Sequence, residues 1–222
     1  MFKGTPGLIS ERREEIINAC EKLYQTMSFK EITLKEIGKA TSFSRPTIYN
    51  YFHTKEEIFL ALYEREYVLW NQELEGILAD SGTLTPHALA DRIALSLTHR
   101  IQLLKLLSMN NYDMEANSRQ ELLTSFKKAY GRSMENIRLL LERACPDRGP
   151  EEIRRIIYVF FPFMFGLHPY AFATEKQKTA MKEAGVDFAF LTVYELAHAC
   201  LVSLLDQRRA DTSNMGRIKE LM

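Results

Sequence analysis

The stretch from Thr41 to Glu57, TSFSRPTIYNYFHTKEE, concentrates side chains that can hydrogen-bond to or stack on another molecule. An arginine can form two parallel hydrogen bonds with a guanine edge and an asparagine with adenine, while threonine and tyrosine hydroxyls reach phosphate oxygens. The chain carries no glycine-rich phosphate loop, nucleophile elbow, His-Glu metal motif or paired-carboxylate motif. These residue types indicate recognition of a nucleic acid more than catalysis.

Capping residues predict the helices that position this stretch. Ser10 is a good N-cap for a first helix, and apolar residues at helical spacing extend that helix to about Met27. Thr33 and Glu36 have the spacing of a capping box, so a second helix is predicted from Leu34 to about Ala40. The chain therefore begins with compact helices joined by tight turns, which is the pattern of a helix-turn-helix unit.

A third helix carries the polar and aromatic side chains. Ser44 is its predicted N-cap and Pro46 suits its first turn, so this helix should run from Arg45 to Tyr51. Ile48 and Phe52 lie four residues apart and share an inward face. The side chains left facing solvent are Arg45, Thr47, Tyr49, Asn50 and Tyr51. They fit either a nucleic-acid contact or an ordinary solvated helix face, and the exposed tyrosines favour the contact.

The run from Ile32 to Phe59, ITLKEIGKATSFSRPTIYNYFHTKEEIF, closely resembles the DNA-binding signature of the TetR-type bacterial transcriptional regulators. The match follows the order of that signature: a Thr-capped helix, a four-residue turn, Ser-Arg-Pro-Thr-Ile-Tyr at the start of the recognition helix, and a lysine just inside the fourth helix. The resemblance implies an all-α protein. It would have an N-terminal three-helix DNA-binding domain and a C-terminal helical domain for ligand binding and dimerisation.

The resemblance also implies roles for individual residues. Arg45 would be the principal base reader, Lys35 would lie near the groove edge, and Pro46 would lean its ring on a base or sugar. Lys55 would bind a phosphate at the start of the fourth helix. Thr33 and Thr47 would contact phosphates, and Tyr49 and Tyr51 would contact the DNA backbone. The implied DNA-binding set also includes Ser44 and Asn50.

Two positions depart from the family pattern. Ser42 stands where the turn usually has a glycine, and Gly38 stands where alanine is more frequent, so the second helix is expected to be looser than usual. Only Lys3 precedes the first helix as a basic residue, which argues against strong anchoring in the minor groove.

Composition limits the possible partners. The 222 residues include 29 basic and 29 acidic side chains, so affinity for DNA must come from a local patch. Residues 1–55 have a net charge of +3 and the rest a net charge of −3. The three cysteines are far apart and form no metal-binding pattern, so we expect neither a disulfide framework nor a metal site nor a cofactor. The first residues lack the apolar core of a signal peptide, and the expected compartment is the cytoplasm.

The segment Ile156 to Ala173, IIYVFFPFMFGLHPYAFA, is uncharged and approaches the length of a membrane span. The prolines within this segment are expected to disturb a helix, and the His168–Pro169 pair is expected to stop it. A buried core helix is therefore favoured, no membrane partner is predicted, and a membrane-associated regulator anchored through residues 156–173 is the alternative.

The same aromatic segment is the predicted site of a small apolar effector. A kinked helix with large rings can leave a pocket, although a solid core fits the composition equally well. The candidate ligand-binding residues are Phe161, Met164, Phe165, His168 and Tyr112. The least favoured alternative is an all-α enzyme in which Cys145 would act as a nucleophile together with His168.

The last predicted helix, about Asp187 to Gln207, is apolar on two sides. One side can serve the chain's own core, and the other would pair with a second copy. The stripe assigned to the partner is Tyr194, Ala197, Leu201 and Leu204. A monomer that buries this helix centrally is the alternative.

The predicted organisation is a DNA-binding domain in residues 1–55, an effector-binding and dimerisation domain in residues 56–208, and an exposed tail in residues 209–222. The predicted function is that of a homodimeric repressor, not an enzyme. It would bind a palindromic operator in double-stranded DNA and be released by the effector.

Overall fold

The computed structural model describes residues 6–109 and 111–206, which contain eleven α-helices and no β-strand. The helices are α1 Pro6–Thr26, α2 Leu34–Lys39, α3 Arg45–Ile48, α4 Lys55–Ala79, α5 Pro86–Thr98, α6 Ile101–Leu107, α7 Asn111–Ala116, α8 Gln120–Ala144, α9 Pro150–Ala171, α10 Glu175–Glu183 and α11 Val193–Asp206. The prediction of an all-α fold is confirmed.

The chain divides into two compact units. The first contains the described residues of Met1–Gln72 and Met109–Met134, and the second contains those of Glu73–Ser108 and Glu135–Met222. Helices α4 and α8 each contribute residues to both units. The linear boundary at residues 55 and 56 stays a prediction, and the predicted tail, residues 209–222, lies outside the described residues.

The start of α1 differs from the prediction. The helix begins at Pro6 rather than at Ser10. Proline has a backbone angle that suits the first turn of a helix, where its missing N–H has no helical partner to lose, so the helix extends one turn further toward the N-terminus.

Thr33 is the N-cap of α2 as predicted, but the Glu36 carboxylate bonds to the Thr33 hydroxyl and not, as in a capping box, to the Thr33 amide. The Thr33 hydroxyl accepts a hydrogen bond from the Glu36 amide at 3.3 Å and donates one to the Glu36 carboxylate. This bond, together with one from Lys39, lowers the pKa of Glu36 to about 2. The helix starts at Leu34 as the pattern predicts.

Helix α9 corrects the prediction that the His168–Pro169 pair stops a helix, because it continues through both Pro162 and Pro169 to Ala171. Both prolines lie on the exposed side of the helix. The carbonyls that lose an intrahelical partner, those of Tyr158 and Phe165, belong to exposed residues where water can replace the bond.

Helix α11 begins at Val193, six residues later than the predicted start at Asp187. The Thr192 hydroxyl accepts from the Glu195 amide at 3.2 Å, and the Glu195 carboxylate accepts from the Thr192 amide at 2.7 Å. This capping box fixes the helix start. The predicted end, Gln207, lies outside the described residues.

The core of the second unit forms where α11 packs on α5 and α9. Residues of α11 at four-residue intervals are buried there: Val193, Ala197, Leu201 and Leu205. This burial corrects the assignment of Ala197 and Leu201 to a partner-facing stripe, because a side chain buried in its own chain presents no surface to a second one. Tyr194 and Leu204 remain half-buried.

Within residues 6–109 and 111–206, no single helix has the length and apolar character needed to cross a membrane; only α9 and α10 taken together, bent by 86°, meet those criteria.

Candidate nucleic-acid interface

Helices α2 and α3 pack through a small apolar contact. Ile37, Ile48 and Phe52 are fully buried, as the spacing predicts. A Cβ atom at Gly38 would lie 3.4 Å from the Cβ of Arg45, so the two helices approach closely at this position. This packing leaves the opposite side of α3 free to face solvent.

The turn between these helices is held by side-chain hydrogen bonds. The Thr41 hydroxyl lies 3.1 Å from the carbonyl oxygens of both Gly38 and Phe43. The Ser42 amide donates to the Glu15 carboxylate on α1, and the Ser42 hydroxyl does so at 3.1 Å. No non-glycine residue among those described has a positive φ, so Ser42 occupies this turn without backbone strain.

Three of the predicted residues face solvent, one on α3 and two in the turn that follows it, and together they form the exposed side of α3. Arg45, Tyr49 and Asn50 are exposed, and Tyr49 has 43% of its surface accessible. The Arg45 Nη2 donates to the Tyr49 hydroxyl at 3.0 Å, and its guanidinium lies 5.7 Å from the centre of the tyrosine ring. A planar donor group next to an aromatic ring is suited to hydrogen-bonding a base edge while the ring contacts the backbone.

Six other predicted residues surround these three in the first unit. Thr33, Lys35, Ser44 and Pro46 are exposed, whereas Thr47 and Tyr51 are half-buried. Ser44 precedes the first turn of α3, and its hydroxyl lies 3.3 Å from that of Thr47.

The α-helical part of α3 is shorter than predicted and ends at Ile48 instead of Tyr51. The chain continues as hydrogen-bonded turns, with amides of Tyr51 and Phe52 both donating to the Ile48 carbonyl at 2.9 Å. Two turns that share an acceptor bring Phe52 into the core and hold Tyr49 and Asn50 outside.

Lys55, the predicted phosphate contact, supports the turn before α2. Its ammonium donates to the carbonyl of Phe29 at 2.7 Å and to that of Ile32 at 3.2 Å, and it lies 4.1 Å from the centre of the Phe29 ring. An ammonium has three N–H donors, so these bonds leave one for a phosphate oxygen.

Sequence reasoning missed a buried ion pair next to this surface. Glu57 on α4 is 1% exposed and forms an ion pair with Arg119, the residue before α8, at 2.7 Å. Thr54 and Glu57 have the spacing of a capping box, which could have singled out Glu57. No local pattern identifies Arg119, which lies 62 positions further along the chain.

Comparison with protein families assigns both parts of the chain. A family described as Bacterial regulatory proteins, tetR family, matches residues 16–62, and one described as Tetracyclin repressor-like, C-terminal domain, matches residues 64–204, more than half of the chain. The chain belongs to the TetR family. Members of this family are transcriptional regulators and not enzymes, which confirms both the resemblance and the expectation that the chain has no enzymatic activity.

Curated relatives match over shorter stretches. The HTH-type transcriptional regulator EthR of Mycolicibacterium smegmatis is 36% identical over 52 residues, which are 23% of this chain and 24% of EthR. An uncharacterized HTH-type transcriptional regulator of Mycobacterium tuberculosis is 30% identical over 106 residues, which are 46% of this chain and 50% of that protein. The chain thus matches half or less of the length of these relatives.

Solved TetR-type structures share the fold over nearly the whole chain. FadR from Bacillus subtilis, in complex with stearoyl-CoA, has a TM-score of 0.57 at 15% identity and covers 88% of this chain and 99% of its own. FadR from Thermus thermophilus, a repressor in complex with lauroyl-CoA, has a TM-score of 0.59 at 21% identity; the match covers 90% of this chain and 98% of that protein. A regulator from Mesorhizobium loti reaches 0.60 at 15% identity, covering 91% and 98%.

The predicted ligand-binding residues are divided between the two units. Phe161 and Met164 on α9 are buried in the second unit, His168 is half-buried and Phe165 is 39% exposed. Tyr112, on α7 in the first unit, is 87% exposed. The four residues of α9 thus lie on one helix of the second unit, whereas Tyr112 belongs to the first unit.

Two clefts open on the second unit. One of about 660 Å³ lies beside Cys145, Arg148 and Leu205, and another of about 390 Å³ lies beside Glu73, Leu95 and other residues of α4 and α5. None of the predicted ligand-binding residues lines either cleft. The pocket prediction for α9 stays a prediction.

Cys145, the nucleophile of the enzyme alternative, is buried. Burial raises the pKa of its thiol, although the nearby Arg148 acts in the opposite direction. A catalytic cysteine requires a lowered pKa, so this environment is that of an inert structural thiol.

Proposed function

We propose that this chain is a homodimeric repressor that reads a palindromic operator with the exposed side of α3 and is released by a small apolar effector. In this proposal Arg45 reads a base edge and Tyr49 contacts the backbone. Lys35 and the hydroxyl residues around α3 bind phosphates. The protein would act in the cytoplasm, where bacterial DNA is accessible.

The observation that carries the proposal is the arrangement of α3. Ile48 and Phe52 are fully buried, while Arg45 on α3 and Tyr49 and Asn50 in the turn that follows it remain exposed. Because the buried residues anchor both the helix and its turn, and the turn is hydrogen-bonded to the Ile48 carbonyl, the outer side chains are presented on a packed element rather than on a free loop. A rigid element is what direct readout in the major groove requires.

A second copy of the chain is the proposed partner of the exposed side of α9. Tyr158 and Tyr170 on that side have 64% and 59% of their surfaces accessible. Regulators of this family act as dimers. A two-fold dimer places two α3 helices on half-sites with the same symmetry, which is why the operator is proposed to be palindromic.

The effector is proposed to be an apolar molecule, and acyl-CoA thioesters are the first class to test. The buried rings of the second unit supply an apolar environment for an acyl chain, with Phe160, Phe161 and Met164 on one side of α9. Two FadR proteins of the same fold were crystallised with acyl-CoA ligands.

Selection of bound fragments from random DNA tests this function. The expected result is enrichment of an inverted repeat with half-site centres about one helical turn, roughly 10 base pairs, or a multiple of it apart. A series of acyl-CoA thioesters added to the complex is then expected to release the DNA at some chain length. Recovery of unrelated fragments, without a common sequence, would contradict the proposal.

A further inference from the structure

The segment that follows α3 is held by the buried carboxylate of Glu57. Its Oε2 accepts a hydrogen bond from the amide of His53 at 2.7 Å. Its Oε1 accepts from the Nε of Arg119 at 2.7 Å and from the amide of Arg119 at 3.1 Å. With 1% of Glu57 exposed, this carboxylate depends on protein donors in place of water.

Arg119 connects the carboxylate to the end of the DNA-facing segment. Its Nη2 donates to the Glu57 Oε2 and to the carbonyl oxygen of Tyr51, each at 3.0 Å. Beside it, the Thr54 hydroxyl donates to the carbonyl of Asn117 at 3.0 Å. Residues just before α8 thus fix the backbone just after α3.

The donor set requires an arginine. A guanidinium directs several N–H groups in a fixed plane and can bridge a carboxylate and a carbonyl at once, whereas an ammonium is a single point of charge. Burial alone raises the pKa of Glu57, but bonds from Arg119 and the amides outweigh it and the pKa lies below its usual value. The carboxylate is therefore ionised and bonded at neutral pH.

We propose that Glu57 and Arg119 are positioning residues for DNA recognition, because they fix the Tyr51 carbonyl and the His53 amide and thereby the orientation of the exposed side of α3. This inference rests on the proposed DNA-binding function. Since Arg119 immediately precedes α8, a displacement of the first turn of α8 is transmitted to Tyr51 and His53. The pair supplies a direct connection between α8 and the recognition segment.

The test is the substitution Arg119→Lys, which keeps the positive charge and removes the bridge to Tyr51. Operator affinity is expected to fall at least tenfold, with affinity for random DNA changed less than twofold. The amide of His53 is expected to exchange with solvent faster than in the wild type. Glu57→Gln, which keeps the shape of the side chain, is expected to give the same pattern, and circular dichroism confirms that each variant is folded.

Arg65→Lys is the matched control. Arg65 joins α4 to α1 by bonds to Asn18 at 2.6 Å and Glu21 at 2.7 Å, and these bonds do not involve residues 51–53. Its ratio of operator to random affinity is expected to stay within twofold of the wild type.

An unchanged affinity ratio in Arg119→Lys, or an equal decrease in Arg65→Lys, would overturn the positioning role. If the wild type and Arg119→Lys bind the operator with equal specificity, the positioning role is overturned and the proposed DNA-binding function is retained. Absence of specific binding by the wild type would overturn the proposed function as well.

Discussion

At the scale of single residues, the structure separates base-reading candidates from supporting residues. Arg45 is exposed and lies against the Tyr49 ring, so its donors can reach a base edge. Lys55 donates to two carbonyls and stabilises the turn before α2. Both are basic residues of one sequence motif. Their surroundings distinguish Arg45, which is placed to contact a base, from Lys55, which holds the backbone near the recognition helix.

The first prediction concerns Arg45. Arg45→Ala removes a bidentate donor, so binding to the selected operator should weaken by roughly 1–3 kcal/mol and base preference should relax at one position of each half-site. Lys35→Ala is the control, because an exposed phosphate contact should weaken all sequences similarly and reduce the salt dependence. Fluorescence anisotropy titrations on operator and random DNA measure both. Equal losses on the two DNAs for Arg45→Ala would exclude it as a base reader.

At the scale of helices, capping patterns predicted much of the fold. Thr33, the predicted cap of α2, accepts a hydrogen bond from the Glu36 amide, and Thr54 and Thr85 form the equivalent bonds at the starts of α4 and α5. The patterns failed where apolar residues lie outside helices. The predicted start of α11 at Asp187 is wrong because residues 187–192 lie outside any helix. The Phe188 ring instead packs edge-on against Phe190, with ring centres 5.0 Å apart, and lies 5.8 Å from the Tyr170 ring on α9.

The sequence does not predict which charged residues pair when they lie far apart in the chain. Glu57 and Arg119 lie far apart in the chain, and each alone fits a solvated helix end as well as a buried pair. Periodicity and capping report only on neighbours within a few turns. The candidate DNA surface was therefore predicted from the residues that form it, whereas its supports became known only from the three-dimensional structure.

The second prediction concerns the glycine in α2. A Cβ at Gly38 would meet the Arg45 Cβ at 3.4 Å and the Ile48 Cδ1 at 3.5 Å, which are ordinary contact distances. Gly38→Ala should therefore stabilise the chain by roughly 0.5–1 kcal/mol, because alanine restricts the unfolded chain and favours the helix. Urea denaturation measures the change. Gly38→Val, whose larger side chain would separate α2 from α3, should instead destabilise the chain and weaken operator binding; a stabilised Val variant would contradict the close packing.

At the scale of the whole molecule, the exposed apolar side of α9 is the feature that a single chain leaves unexplained. Tyr158, Val159 and Tyr170 are exposed on a helix whose other side forms the core of the second unit. Exposed apolar residues grouped on one helix are typical of association surfaces.

The third prediction tests that surface. The double substitution Tyr158→Arg and Phe165→Arg should convert the dimer to a monomer, since burying an unpaired charge in an apolar interface costs on the order of several kcal/mol. The fold should be retained because both side chains are exposed in the single chain. Tyr112→Arg, at an 87% exposed position on α7, is the control and should remain dimeric. Sedimentation velocity distinguishes the species, and a dimeric double variant would place the interface elsewhere.

The fourth prediction follows from the half-buried His168. Burial lowers its pKa below the usual value of 6.5, with a further contribution from the charge of Lys105 on α6. The unfolded chain therefore binds the proton more readily, so the contribution of His168 to stability is intact above pH 6.5, the usual pKa, and is lost as the pH falls from there through the lower folded pKa. His168→Asn should flatten the decrease in unfolding free energy below about pH 6.5. An unchanged pH profile in the variant would show that other groups control it.

The ratio of dissociation constants for scrambled and selected DNA, measured at one physiological salt concentration, tests the central claim most directly. For a regulator that reads bases through α3, the selected site should bind at least roughly 10³-fold more tightly than the scrambled one. Arg45→Ala should reduce that ratio while random binding persists. A wild-type ratio near one would contradict the claim, because phosphate attraction alone would then account for all binding.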